Sequence, residues 1–354
     1  MKLSQYPSPF DKLRTVGAQD ERKYIMSLNE TRWQPTAEIE TLKRRAQYLA
    51  DVRLFFAQRD VWEVETPILS PAAPTAPYLD SFTTDYIPMG SQSTQTHYLQ
   101  TSPEFAMKRL LAANSGSIYQ IAKVFRNGEQ GKLHSPEFTM LEWYRIELTL
   151  NQLMDEVNTL LQQVFNFKPI SRLSYRGLFE FFFKTNIFNC SDDTIKHHAL
   201  ERIKGLPSDL ELDRDGWLEL LMSHVIEPRL SAMNMPVFVY DFPASQAQLA
   251  KIKTDKSGND VANRFELYID GVEIANGYNE LLDADELRQR FESDNQQRKT
   301  QNKPEISLDE NLLAAMQSGL PQCSGVALGL DRLMILAMKK QAISEVQSFG
   351  FEKE

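Results

Sequence analysis

Cysteine is scarce in this chain. Cys190 and Cys323 are the only two in 354 residues, and they form no CxxC pair and leave no histidine spacing that would complete a zinc site. A disulfide framework and a cysteine-built metal centre are therefore excluded as the basis of the fold, and both residues read as structural thiols. Long apolar runs are missing too: nothing approaches the roughly 18 consecutive apolar residues of a membrane span, and the N-terminus lacks the apolar stretch of a secretory signal. A cytoplasmic protein is expected. Basic charge is in deficit, with 39 Lys and Arg against 48 Asp and Glu for a net charge of -9. This argues against a broad phosphate-binding surface, although a local basic patch fits within an acidic total. The common nucleotide signatures are also absent: Gly131-Lys132-Leu133 lacks the rest of a P-loop, and no GxGxxG occurs. No internal repeat or low-complexity tract is present.

What is there suffices for a full core, with 42% apolar and 25% charged residues. Residues 1–25 carry Pro7, Pro9 and Gly17 without a sustained period, and are expected to be a disordered extension or a misassigned start; 26–354 then form one catalytic domain. Leu42, Ala46, Leu49, Val52 and Phe56 keep three-to-four spacing, which predicts a helix from Ile39. A short strand over Val61 to Glu65 leads into Thr66-Pro67. Thr101-Ser102-Pro103-Glu104 has the spacing of a capping box with proline early in the first turn, so a helix starts there. Ile118 to Arg126 and Glu137 to Ile146 alternate as strands around a polar loop, 127–136, making a long antiparallel hairpin. Residues 150–235 are mostly helical in pattern, including Trp217 to Leu230, and Val237 to Asp241 reads as a buried strand. Arg264 to Ile269 meets Asp270-Gly271, a hairpin turn signal, and a further strand follows from Val272. A glycine-containing strand, Ser324 to Leu330, runs into a helix from Asp331 to Lys339.

Several side chains in this frame suggest chemistry. Arg126, at the hairpin mouth, offers a planar fork suited to phosphate or carboxylate, though a lone arginine there is commonly a surface residue. Alternation puts Phe138, Met140, Glu142 and Tyr144 on one face of the returning strand. A carboxylate on that apolar face needs a partner, either an internal cation or a cationic ligand. The two-residue turn pairs Ile269 with Val272 and Tyr268 with Glu273, so Glu266 lies on the same face, diagonally across from Glu273. Two such carboxylates either stand in solvent or share a hard cation such as Mg²⁺. Asn276, Tyr278 and Glu280 share a face at period two, but a regular ladder turns it away from the glutamate pair; a bulge at Gly277 would re-aim them. Gly325 and Gly329 flank the last strand and allow a ligand to approach closely. Arg332 opposes the dipole of the helix it starts, a conflict an anionic ligand would resolve.

Together these segments resemble the three motifs of class II aminoacyl-tRNA synthetases, most closely the lysyl enzymes. Val64-Glu65-Thr66-Pro67 is similar to motif one, Phe125-Arg126-Asn127 through His134 to Tyr144 to motif two, and Gly325 to Arg332 to motif three. The resemblance spans roughly Trp33 to Lys339 and implies an α+β fold, an antiparallel sheet flanked by helices. Only about one helix precedes motif one, so no N-terminal OB domain is expected. In this respect the chain resembles the truncated paralogues that ligate (R)-β-lysine to a lysine of translation elongation factor P, a branch that Met26 and Trp33-Gln34-Pro35 also fit.

The resemblance implies a set of roles. Arg126 and Arg332 are the catalytic arginines, on the α-phosphate with the substrate carboxylate and on the γ-phosphate respectively. Asn127, Gly128, His134, Ser135, Phe138, Glu273, Ile274 and Gly329 complete the ATP site, and Glu266 with Glu273 carries Mg²⁺. Ser102, Pro103, Glu104, Glu142, Tyr144, Asn276, Tyr278, Glu280 and Ala327 form the amino-acid pocket, whose three carboxylates suit a substrate with two amines. Ser102 stands where lysyl enzymes usually carry alanine and Ala327 where they carry glycine; Gly128 and Ser135 replace a usual glutamate and asparagine. A homodimer through motif one is implied. Two alternatives remain open at this point: a minimal enzyme charging tRNA or another acceptor with lysine, and a non-catalytic regulatory module that binds amino acid or ATP.

Overall fold

The computed structural model describes residues 33–207 and 209–351, so the extension expected over 1–25 lies outside the described residues. The chain opens with α1 (Ile39–Ala57), followed by the short strands β1 (Trp62–Glu63) and β2 (Leu69–Ser70). A hairpin, β3 (Thr83–Tyr86) and β4 (Gln95–Leu99), joins β2 in a small sheet of order β2-β4-β3. Then come α2 (Glu104–Ala112), the long hairpin β5 (Ile118–Phe125) and β6 (Glu137–Ile146), and α3 (Leu150–Phe165). Strand β7 (Ser171–Ser174) leads into a helical insertion of α4 (Tyr175–Phe183), α5 (Asp192–Arg202), α6 (Arg214–Leu221) and α7 (Glu227–Ala232), with a π-helical turn, Met222–Ile226, between the last two. The chain closes with β8 (Val237–Pro243), β9 (Ile252–Thr254), β10 (Asp260–Ile269), β11 (Val272–Asn279), α8 (Ala284–Thr300), α9 (Glu310–Gly319), β12 (Cys323–Gly329) and α10 (Leu330–Ala337).

The large sheet has the order β1-β5-β6-β12-β11-β10-β8-β7, with β9 on β10. Its centre is antiparallel, as expected; its two outermost pairings, β1 with β5 and β7 with β8, are parallel. One face is apolar. Leu141 and Trp143 on β6, Val326 and Leu328 on β12, Ala275 on β11 and Phe265 and Leu267 on β10 share it, and α1 and α3 cover it with Phe55, Phe56, Leu153, Val157 and Leu160. Helix α3 starts where Thr149 and Gln152 form a reciprocal capping box. The other face, turned away from this core, carries the polar side chains.

Several expectations need correction. The buried stripe of α1 is rotated: Thr41, Tyr48, Val52, Phe55 and Phe56 are buried and Ala46 is exposed. Arg45 belongs to the inward face because it reaches Asp331 at 2.5 Å and Thr139 Oγ1 at 2.8 Å. No capping box forms at 101–104: Pro103 is the N-cap without a side-chain cap, Ser102 Oγ accepts from the Glu104 amide at 3.2 Å, and the Glu104 carboxylate turns to Lys108. The helix read over Trp217 to Leu230 is broken by the π turn, and the strand read over Val61 to Glu65 shortens to Trp62–Glu63. At the β10–β11 turn, Asp270 (φ 52°) and Gly271 (φ 71°) are both left-handed, as a type I′ turn requires. The turn is wedged against α7, where a Cβ on Gly271 would stand 2.2 Å from the Glu227 carbonyl oxygen.

Candidate active site

Register builds the site in rows across the polar face. One row runs Gln120, Glu142, Ala327, Asn276, Glu266 on β5, β6, β12, β11 and β10. The next runs Ile118, Tyr144, Gly325, Tyr278, Arg264. The expected pairs Ile269–Val272 and Tyr268–Glu273 are present, and so is a bulge, but the register shift falls between Leu267 and Tyr268, leaving Ile274 as the extra residue. This irregularity, not Gly277, brings Asn276 and Tyr278 to the face of Glu266. Gly277 has another reason: a Cβ there would lie 2.4 Å from the Phe265 ring on the core side.

In the first row the small side chain of Ala327 leaves a gap between Glu142 and Asn276. Glu142 Oε1 accepts from the Tyr144 hydroxyl at 2.7 Å, while Glu142 Oε2 and Asn276 Oδ1 are buried acceptors without a donor. Burial first, and the neighbouring Glu104 charge second, push the Glu142 carboxyl up to about 8. A buried acceptor left unmade costs about 1 to 3 kcal/mol, so two facing one gap call for a donor, and carboxylates call for a cationic one.

Behind the gap stands a cation absent from the sequence-based assignment. Lys108, on α2 and only 2% exposed, contacts Glu104 Oε1 and Glu280 Oε2, each at 2.6 Å. Burial works against its charge, but the two carboxylates more than offset this and hold it well above the ordinary lysine range. Glu280, on the segment after β11, is held by the Lys108 ion pair at Oε2, which has no hydrogen bond of its own, and by the Gly325 amide, which donates to the carboxylate. Even so, burial pushes Glu280 up to about 7. Glu104 gives Oε1 to Lys108, and its charge acts on Glu142. The i,i+4 spacing of Glu104 and Lys108 was visible in the sequence, but such pairs commonly sit on solvated faces.

Gly325 admits protein, not ligand, since a Cβ there would meet Tyr144 Cε1 at 2.3 Å and Glu280 Oε1 at 2.6 Å. At Gly329 the nearest atoms, Arg332 Cδ, Arg332 Cβ and the Ile274 carbonyl oxygen, stand 3.8 to 3.9 Å from such a Cβ, so no close approach is required there.

The other half of the site gathers at the mouth of the β5–β6 hairpin. Arg126 stands with its guanidinium carbon 5.2 Å from the Phe138 ring centroid, 3.5 Å from Glu129 in an ion pair, and with a buried Nε lacking a partner. Gly128 makes the turn at φ 84°, the Asn127 amide is tied to the Asp80 carbonyl at 2.8 Å, and Ser135 is buried. Arg332 donates to the carbonyls of Glu273 at 3.2 Å and Leu133 at 3.4 Å, bridging β11 and the loop. Burial, then Arg332, depress the His134 imidazole; Glu129 works against this and Arg126 adds to it. Asp331 fixes the first turn of α10, accepting from Arg45, the Thr139 amide at 2.9 Å and Gln347 Nε2 at 2.9 Å.

Glu266 is paired with Arg264 and accepts from the Tyr268 hydroxyl at 2.5 Å. Arg264 itself, missed by sequence reasoning, is buried with its guanidinium 4.5 Å from the Phe242 ring centroid and 5.6 Å from that of Tyr278, whose hydroxyl donates to Gln248. Glu273 has no ion pair among the described residues, and burial followed by the Glu266 charge pushes it up to about 7. Glu227 on α7 is likewise pushed up to about 7 by burial and then by Glu273. An under-compensated carboxylate fits a divalent cation. Among the described residues no three acidic, His or Cys side chains gather at metal-binding spacing, so such an ion would need oxygen ligands from a phosphate.

A family model described as tRNA synthetases class II (D, K and N) matches residues 31–353, and the chain belongs to that family. Among curated proteins it is similar to an elongation factor P–(R)-β-lysine ligase of Pectobacterium atrosepticum, 46% identical over 323 residues, which is 91% of this chain and 98% of that protein. A protein of the same description from Haemophilus ducreyi is 45% identical over 327 residues, 92% of this chain and 98% of its own length. One from Photorhabdus laumondii is 45% identical over 321 residues, at 91% and 98% coverage. No helix among the described residues is long and apolar enough to cross a membrane.

Proposed function

We propose that the chain is an AMP-forming ligase that activates (R)-β-lysine with ATP and transfers it to a lysine of elongation factor P. The observation that carries this reading is the pair of donorless oxygens, Glu142 Oε2 and Asn276 Oδ1, on either side of Ala327. Around that gap three carboxylates, Glu104, Glu142 and Glu280, face one lysine, Lys108, which leaves two negative charges when all are ionised. A substrate with two ammonium groups balances them. The similarity to curated β-lysine ligases over nine-tenths of the chain supports the β isomer and the acceptor.

In the first step a carboxylate oxygen of the amino acid attacks the α-phosphorus, the bond to the bridging oxygen breaks, and pyrophosphate leaves with the electron pair. Arg126 orients the α-phosphate and the substrate carboxylate, and Arg332 holds the γ-phosphate, so the charge of the in-line transition state meets two preplaced guanidiniums. Phe138 and His134, whose imidazole is depressed toward its neutral form by burial and Arg332, line the ATP site, with Asn127, Gly128, Ser135, Ile274 and Gly329 completing it. Glu273, with Glu266 beside it, would hold Mg²⁺ together with phosphate oxygens, and the ion would supply charge neutralisation there. In the second step an unprotonated lysine amine attacks the acyl carbon, the bond to AMP breaks, and a proton is lost as the amide forms. No protein nucleophile takes part. The exposed apolar side chains Trp62, Ile68, Leu69, Tyr86, Ile87 and Met89, around motif one and the β3–β4 hairpin, support a homodimer through that surface.

Incubation with ATP and (R)-β-lysine, followed by intact mass of elongation factor P, tests the reading. The expected result is a gain of one β-lysyl group on the wild-type factor and none on its acceptor Lys→Ala variant. Efficient charging of bulk tRNA instead, or an equal mass gain on the lysine-less variant, overturns it.

A further inference from the structure

We propose that Lys108 is a positioning residue for substrate selection: a built-in ammonium that sets the pocket to a charge of minus two and so selects amino acids with two amines. The inference deepens the functional reading above and rests on it. Three observations support it. Lys108 is 2% exposed and its Nζ contacts Glu104 Oε1 and Glu280 Oε2, so its charge is directed at the pocket's own carboxylates. Glu280, 1% exposed and closed off by Lys108 and the Gly325 amide, touches substrate no more than Lys108 does. Lys108 acts on Glu142 both through Glu104, whose Oε1 it holds and whose charge raises Glu142, and by its own charge, which lowers it. Without Lys108 that lowering is lost and Glu104 loses its ion pair.

The groups that feel this ammonium are Glu104 on its own helix, Glu142 on β6, Glu280 after β11 and Cys323 on β12. The nearest other cations are Arg264, which is paired with Glu266 and stands against the Tyr278 ring, and Lys251, whose charge reaches Cys323. Glu142, Glu280, Tyr144, Tyr278 and Cys323 all titrate high because burial, the first cause in each case, disfavours charge there. Lys108 is the cation in direct contact with these carboxylates, and removing it offers them a proton in its place.

The test is a charge-counting cycle read by amino-acid-dependent ATP–pyrophosphate exchange with (R)-β-lysine. With every carboxylate ionised, as a bound diammonium substrate favours, Lys108→Met leaves minus three, Glu280→Gln leaves minus one, and the double variant returns to minus two. Each single variant is expected to raise KM at pH 7 at least tenfold with kcat changed less than twofold, because no reacting atom is touched. The double variant should come back to within about threefold of wild type. A purely structural role predicts the opposite: additive losses, a lowered melting temperature and a smaller active fraction at unchanged KM. If Lys108→Met does not fold, comparing Glu280→Gln with the double variant still decides. A double variant no better than Glu280→Gln, or Glu280→Gln with wild-type KM, overturns the inference. Wild-type enzyme that exchanges with no diamino acid overturns the functional reading, and the inference with it; wild-type exchange with an unmoved cycle overturns the inference alone.

Discussion

Gly325→Ala is the sharpest perturbation of the site available. The added methyl would stand 2.3 and 2.4 Å from two carbons of the Tyr144 ring and 2.6 Å from Glu280 Oε1, distances that no real Cβ tolerates. Tyr144 is buried between Met107, Leu111 and Ile118 and has little room to yield. The ring must therefore rotate or β12 must shift, at about 1 to 3 kcal/mol for overpacking a filled core. Either movement breaks the 2.7 Å bond from the Tyr144 hydroxyl to Glu142 and unsets the carboxylate beside the gap. At about 1.4 kcal/mol per decade, the same strain expressed in binding gives a five- to 150-fold rise in KM for the amino acid, while the KM for ATP stays within threefold. Thermal melting and pyrophosphate exchange measure both. Gly329→Ala, four residues along, is the control: its methyl meets only ordinary contacts at 3.8 to 3.9 Å and should leave melting temperature and amino-acid KM unchanged. Equal behaviour of the two variants would refute the claim that Gly325 is fixed by Tyr144.

Glu273→Gln should abolish amino-acid-dependent exchange with the fold intact; exchange with normal Mg²⁺ dependence would remove the metal assignment. Ala327→Gly is expected to shift the activation ratio toward α-lysine, since one methyl in a pocket is worth about 1 to 3 kcal/mol of discrimination, and an unchanged ratio excludes it. Because burial raises Glu142 to about 8 and Glu273 and Glu280 to about 7, the folded chain binds protons that the unfolded chain releases near 4.5. Their contribution to stability is full below the ordinary carboxylate value and is lost as pH rises toward 8, so the melting temperature of the free protein should fall over that range and be restored at pH 8 by saturating β-lysine. A flat profile counts against the buried-carboxylate cluster. Ile87→Asp with Met89→Asp should give monomers in sedimentation, whereas an unchanged oligomer points to another surface.

The residues that carry the site were legible wherever alternation fixed a face. Glu142 and Tyr144 followed from the period of β6, and the Tyr268–Glu273 pairing from the Asp270-Gly271 turn, because both are set by neighbours in sequence. The register shift at Ile274 was not legible at its true position: a bulge needs no glycine, and the glycine that drew attention is reserved for the Phe265 ring. Lys108 escaped because its burial depends on Glu280, more than 170 positions away, and a capping box seemed to explain Glu104 equally well. The β3–β4 hairpin left little signal since all of β3 is exposed, and β7 is defined only by parallel pairing with β8.

The wedge between the Asp270-Gly271 turn and the Glu227 carbonyl joins the helical insertion to the nucleotide side of the sheet. Glu273 lies two residues past that turn and Glu227 begins α7, so the insertion is fastened to the sheet beside the strand that carries Glu273. Any side chain at position 271 would part the two, which makes this glycine the seam along which the insertion would come away from the sheet.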